Sequence, residues 1–194
     1  MKKILILIFL IFPLMLSSQE KDLPFFEISN YPDEYSTTNI VARMIEGLGY
    51  RYYWATHSLN EKDLSYKPSD DSRTTYDIIE HIHSLSLMIV SSFQNEEFNF
   101  ESEQFTYELL REKTLNNLKF IHLSLQENPD LSQLDIRFNR GGNDLSFPFW
   151  NQINGPISDA IWHCGQVVMN RRSSGNPLQS GVNVFTGKTN FQKN

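Results

Sequence analysis

The chain has 194 residues, 40% hydrophobic and 21% charged, which is apolar material enough for the core of one domain. Its formal charge of −6 argues against a surface built to hold a phosphate backbone, so no nucleic-acid partner is expected. The single cysteine, Cys164, excludes an intramolecular disulfide.

In chain order, the first 18 residues read as a leader. Lys2 and Lys3 precede an unbroken apolar run from Ile4 to Phe12, then Pro13-Leu14-Met15-Leu16 and the small residues Ser17 and Ser18. A basic start, an apolar stretch short for a bilayer span and small residues at its end are the layout of a secretory signal peptide. The expectation is a signal over residues 1–18, a domain over 19–194 and a periplasmic or extracellular destination, with no stable membrane anchor after cleavage. An uncleaved anchor is the alternative. Loss of Lys2 and Lys3 leaves 15 basic against 23 acidic side chains, a formal −8.

Residues 20–35 form a polar lead-in with Phe25 and Phe26 available to dock. Ser36-Thr37-Thr38 then offers N-caps. Ile40, Val41, Met44, Ile45, Leu48, Tyr52 and Ala55 recur at helical spacing and predict a first helix over 38–58. Pro68 and a cluster of Asp and Ser predict a loop over 58–72. Thr74 with Asp77 resembles a capping box opening a second helix over 74–93. A third helix is expected over 105–127, stopped before Asn128-Pro129. Ile136 and Phe138, Gly141-Gly142-Asn143, then Leu145 and Phe147 predict a short β-hairpin ending at Pro148. The fourth helix spans 149–173, kinked or delayed by Gly155-Pro156 and ended by Gly175-Asn176-Pro177. The tail through Val184 and Phe185 is expected to pack back on the helices.

The fourth helix carries the chemistry. At about 100° per residue, Asp159, His163, Gln166 and Asn170 share one narrow polar stripe on a helix that is apolar on nearly every other side. Such a stripe faces other side chains or a cavity; a solvated face is the bland alternative. Asp159 and His163 are an i, i+4 pair, able to reach one ion or to make an ordinary Asp–His hydrogen bond. On the second helix, His81 lies at the edge of the apolar face of Ile78, Ile82, Leu85 and Ile89, whereas His83 is expected to point outward. His81 is therefore the third candidate ligand or a hydrogen-bonded core histidine. His57 is expected at the surface. His122 falls on the apolar face of the third helix, as a reserve ligand or a satisfied core histidine.

Asp159-Ala-Ile-Trp-His163-Cys-Gly165-Gln166 resembles the last-helix motif of the DinB-like superfamily, a histidine, three residues and then His-x-Gly-Gln. Asp77-Ile-Ile-Glu-His81-Ile is similar to that family's second-helix signature, and the likeness covers about residues 38–175. The resemblance implies an all-α, up-down-down-up four-helix bundle with a short β-hairpin before the last helix. It also implies a divalent metal ion held between the second and fourth helices, with His81 and His163 on two of the three family ligand positions. Asp159 stands where the family has a histidine, a departure that bears on metal identity. The ligand set His81, Asp159 and His163 is thus expected to hold zinc or nickel, with manganese or iron as further candidates.

Two imidazoles and one carboxylate leave coordination positions open for a water of lowered pKa or a substrate thiolate. Among the family's activities, the resemblance implies a metal-dependent hydrolase or thiol-cofactor-dependent transferase acting on a small molecule of unknown identity. The rival is a non-catalytic exported binding module whose Asp–His–His site is structural or degenerate. Tyr53, Trp54, Trp150 and Trp162 are candidates for the pocket wall, and Asn154, Gln166 and Arg171 for substrate orientation. The resemblance also admits a homodimer.

Overall fold

The computed structural model describes residues 23–99 and 103–190; the expected leader lies outside them. The chain is mostly helical, with a small two-stranded hairpin before the last helix.

Four long helices dominate. Helix α1 (Thr37–Ala55) starts where the Ser36 side chain accepts from the Asn39 amide. A short α2 (Glu61–Leu64) interrupts the segment expected to be loop. Its cause is a second capping box, Asn60 with Asp63, upstream of Pro68. Helix α3 (Thr75–Phe93) opens with the expected Thr74–Asp77 box. Helix α4 (Tyr107–Gln126) is capped by Thr106 and stops before Asn128-Pro129. Strands β1 (Ile136–Arg140) and β2 (Asn143–Phe147) pair antiparallel around Gly141 and Gly142, both at positive φ (62° and 86°) as a two-residue hairpin turn demands. Helix α5 (Trp150–Gln152) runs into a distorted turn at Ile153–Ile157, where Gly155 leaves helical geometry ahead of Pro156. Helix α6 (Ser158–Ser174) then continues to Gly175, whose φ of 103° ends it in the left-handed conformation.

The long helices close a ring of contacts: α1 on α4, α4 on α3, α3 on α6 and α6 on α1. Cross-helix hydrogen bonds give their directions. Thr38 reaches Asn128 just beyond α4, while Arg111 near the start of α4 reaches Tyr53 and Thr56 at the end of α1, so these two run antiparallel. His83 to Thr114 and Asn117 to Ser86 keep a constant offset, so α3 and α4 run parallel. Asn170 donates to Thr75 while Asp159 faces His81, so α3 and α6 are antiparallel. Ile45, Leu48, Tyr52, Tyr53, Trp54, Ile79, Ile82, Leu115, Leu118 and Val167 fill the centre. Phe26 docks on Tyr53 and Trp54, and the Phe25 ring lies where a Cβ on Gly49 would stand 2.5 Å away, so only glycine admits it.

The tail packs back on the helices as expected through Leu178 and Val182. Val184 and Phe185 stay exposed at the turn between strands β3 (Val182–Asn183) and β4 (Lys188–Thr189), whose backbone is also held. The Tyr50 hydroxyl donates to the Lys188 carbonyl at 2.8 Å and accepts from the Asn183 amide. No helix among the described residues is long and apolar enough to cross a membrane.

Candidate metal centre

Antiparallel packing of α3 on α6 turns two sequence-distant segments into one cluster. His81 and Asp159, 78 positions apart, meet with His81 Nε2 at 3.3 Å from Asp159 Oδ2. The i, i+4 spacing on α6 sets His163 Nε2 at 3.4 Å from Asp159 Oδ1. The imidazoles stand edge to face with centroids 4.7 Å apart, and one donor atom from each residue lies within 4.8 Å of the other two. The three are half-buried, and this group is close enough to hold a metal ion. Ligands ~2.0–2.2 Å from a zinc ion stand ~3.3–3.6 Å apart along a tetrahedral edge. The two nitrogen–oxygen separations have that size, but each runs to a different oxygen of Asp159. A shared ion would take both carboxylate oxygens, or one after a small rotation of the side chain.

The donor inventory sharpens the fit. His163 Nδ1 lies 2.8 Å from Gln166 Oε1, a carbonyl-type acceptor, so Nδ1 carries the proton and donates it. In the neutral ring Nε2 then bears a lone pair, and that lone pair faces a carboxylate oxygen. With that tautomer, a cation between the two acceptors would be stabilised by both. A side chain that fixes the tautomer of a histidine from the far nitrogen is the usual outer support of a metal ligand. Burial holds the His81 imidazole below its ordinary pKa, against the hydrogen bond to Asp159, with the nearby His163 and Arg73 charges acting in the same direction as burial. The neutral imidazole is the metal-binding form.

The remaining candidates separate. His83 is only 4% exposed: its Nδ1 lies 3.1 Å from Thr114 Oγ1 and its ring meets the edge of Phe105. The outward assignment is therefore corrected. It treated α3 as having one buried face, whereas α6 covers one side and α4 the other. His57 is half-buried rather than superficial, stacked on Tyr53 and Trp54. His122 sits apart from the cluster, 3.9 Å from Glu46 and beside Gln126. Tyr53 and Trp54 are core residues and Trp150 lies by Pro148 and Leu131, so neither group walls the site. Arg171 is buried and donates to the carbonyls of Trp54 and Ala55, which commits it to the end of α1 rather than to a substrate. Asn154 is exposed and does not line the cleft; Gln166 orients His163.

Trp162 and His163 do line a cleft of about 810 Å³ that runs beside α6, with Arg73, Ile78, Gln166 and Met169 among its walls. Arg73 was not singled out from the sequence. Its position one residue before the Thr74 cap, which fixes it at the mouth of α3, was the available signal.

No protein-family model, curated protein or solved structure matches the chain.

Proposed function

We propose that the chain is an exported DinB-like metal-binding protein in which His81, Asp159 and His163 hold one divalent ion, zinc or nickel first, in a metal-dependent hydrolase or thiol-cofactor-dependent transferase. The up-down-down-up four-helix bundle belongs to this proposal and is supported by the directions of α1, α3, α4 and α6. The observation that carries it is the convergence of two imidazole nitrogens on one carboxylate, with the His163 tautomer set by Gln166.

His81 and His163 would hold the ion from two helices, and Asp159 would supply the negative charge that offsets it. Gln166 keeps the lone pair of His163 turned inward. A bound divalent ion supplies Lewis acidity, polarising a substrate carbonyl or favouring the anionic form of a thiol or water. The chain's own residues then admit substrate along α6 through the cleft lined by Trp162 and Met169.

A second reading is kept by the same distances: 3.3 and 3.4 Å are also long hydrogen bonds, so a proton shared among the three groups makes a non-catalytic exported module of the same geometry. Calorimetric titration of metal-stripped protein with zinc, nickel and manganese separates the two. The metal reading predicts one ion per chain, lost in His81→Ala and in His163→Ala and kept in Asp159→His, because imidazole suits first-row ions. Metal-loaded protein is then assayed on esters, amides and thiol acceptors, with turnover expected to vanish on chelation. A wild type that binds none of the three ions leaves only the proton network; tight binding without turnover on any of these classes leaves the binding module.

A further inference from the structure

The cleft beside the His81–Asp159–His163 cluster has two features that the cluster does not explain. Arg73, exposed on its wall, makes no hydrogen bond or ion pair among the described residues, although the chain carries an excess of acid. The acids near it in sequence are engaged elsewhere: Asp71 accepts from the Ser69 hydroxyl, Asp70 faces Lys67, and Asp77 accepts from the Thr74 amide. An unpaired guanidinium is suited to a carboxylate or phosphate, which its planar fork takes by two parallel hydrogen bonds.

Gly165 is the second feature. It sits in the middle of α6, where glycine costs about 1 kcal/mol against alanine. A Cβ built on it meets nothing within 4 Å, so no neighbouring side chain or backbone demands the glycine. This open stretch of helix lies between Trp162, 72% exposed, and Met169, 59% exposed. A tryptophan and a methionine standing in solvent on either side of a bare helical turn make an apolar trough. From His163 to Ser173 the cleft follows α6 for roughly 15 Å.

We propose that the cleft binds an elongated ligand with an oxyanion head, carboxylate or phosphate, held by Arg73, and an apolar body lying across Gly165 between Trp162 and Met169. Its other end reaches His163. This names the substrate class of the proposed metal centre and rests on that reading only for the end that reacts; the trough and the arginine stand without it. The Gln166 amide nitrogen, left over when Oε1 serves His163, is available to a polar atom midway along the ligand.

The test is calorimetric binding of 4-phenylbutyrate, 4-phenylbutyl phosphate and 4-phenylbutyramide to the purified chain at low ionic strength, both metal-stripped and zinc-loaded. At least one of the two anions is expected to bind about tenfold more tightly than the amide, and which one does identifies the head group. Arg73→Ala should erase that preference and leave zinc binding intact. Gly165→Leu, a strong helix former entering open space, should fold at least as stably as wild type yet lose all three probes. If both anions bind no better than the amide, if Arg73→Ala keeps the preference, or if Gly165→Leu still binds the probes, the proposal is wrong. Zinc titrated into the same samples reports on the metal centre separately. Arg73-dependent anion binding in a chain that takes no zinc would overturn the metal reading and leave the cleft assigned. Anion binding that needs His163 and zinc but not Arg73 would do the reverse.

Discussion

Gln166 holds the proton of His163 on Nδ1, and that single hydrogen bond decides which nitrogen can act as ligand. Gln166→Ala is expected to weaken zinc binding by about 10- to 100-fold with little change in the melting temperature of the metal-free chain; calorimetry with a thermal melt checks both. His83 predicts the opposite pattern. It is buried against Thr114 and Phe105, so His83→Ala should cost about 2 kcal/mol of stability and leave zinc affinity unchanged, as read by denaturant unfolding and zinc titration. These two histidines also show what the sequence could and could not tell. Residues two apart on a helix point about 200° apart, so one apolar stripe can assign only one of them. His81 was placed correctly because the stripe of Ile78, Ile82 and Leu85 lies beside it. His83 was misplaced because the second buried face of α3 is made by α4, and no spacing within α3 records that neighbour.

At the scale of elements, the end of α1 is closed by side chains from two other helices. The Arg111 guanidinium donates to the Tyr53 carbonyl and the Thr56 hydroxyl, and that of Arg171 to the carbonyls of Trp54 and Ala55. The arginines add side-chain donors to carbonyls of the last turn, including that of Ala55, beyond the backbone bonds that the Thr56 and His57 amides make to Tyr52 and Trp54. Asp63 completes the joint. It accepts from Asn176 and Ser174 and lies close enough to Arg171 to feel its charge. Burial alone would raise the Asp63 pKa. The hydrogen bonds from Asn176, the Asn60 backbone and Ser174, with the Arg171 charge, outweigh it and hold the carboxyl below its usual 3.8. A carboxyl depressed by folding contributes stability that is complete above its unfolded pKa and lost as pH falls through the folded value. The stability gap between wild type and Asp63→Asn should therefore stay constant above about pH 5 and close below about pH 4 in thermal melts across that range. A gap that widens on acidification would contradict the assignment. This joint was illegible in advance: Arg171 read as a substrate-facing residue because the angle between α6 and α1 decides where a long side chain ends. The caps were legible, since Thr74 and Asp77 act within four residues of each other.

For the whole molecule, α3 and α6 meet through a thin line of polar groups, Asn170 with Thr75 in the interior and His81 with Asp159 half-buried at the edge of the cleft. An ion shared by the cluster would tie the two helices together, and binding to the folded chain alone raises its stability by mass action. Zinc at a hundred times its Kd should add about 2.7 kcal/mol, an increment absent in His81→Ala. The polar stripe on α6 was legible from 3.6-residue periodicity; Asp159 and Asn170 meet α3, while His163 and Gln166 also line the cleft. The flanks of that stripe were not: Trp162 and Met169 stand exposed because no element of the described chain covers that edge of α6, and periodicity cannot reveal a missing neighbour. The central claim is that His81, Asp159 and His163 bind one ion together. X-ray absorption at the zinc edge of stoichiometrically reconstituted protein tests it most directly. The account predicts two imidazole nitrogens and carboxylate or solvent oxygen at about 2.0–2.1 Å, and no imidazole-coordinated zinc retained in His81→Ala after the same reconstitution and desalting. Zinc surrounded by oxygen alone, or a spectrum identical in wild type and His81→Ala, would contradict it.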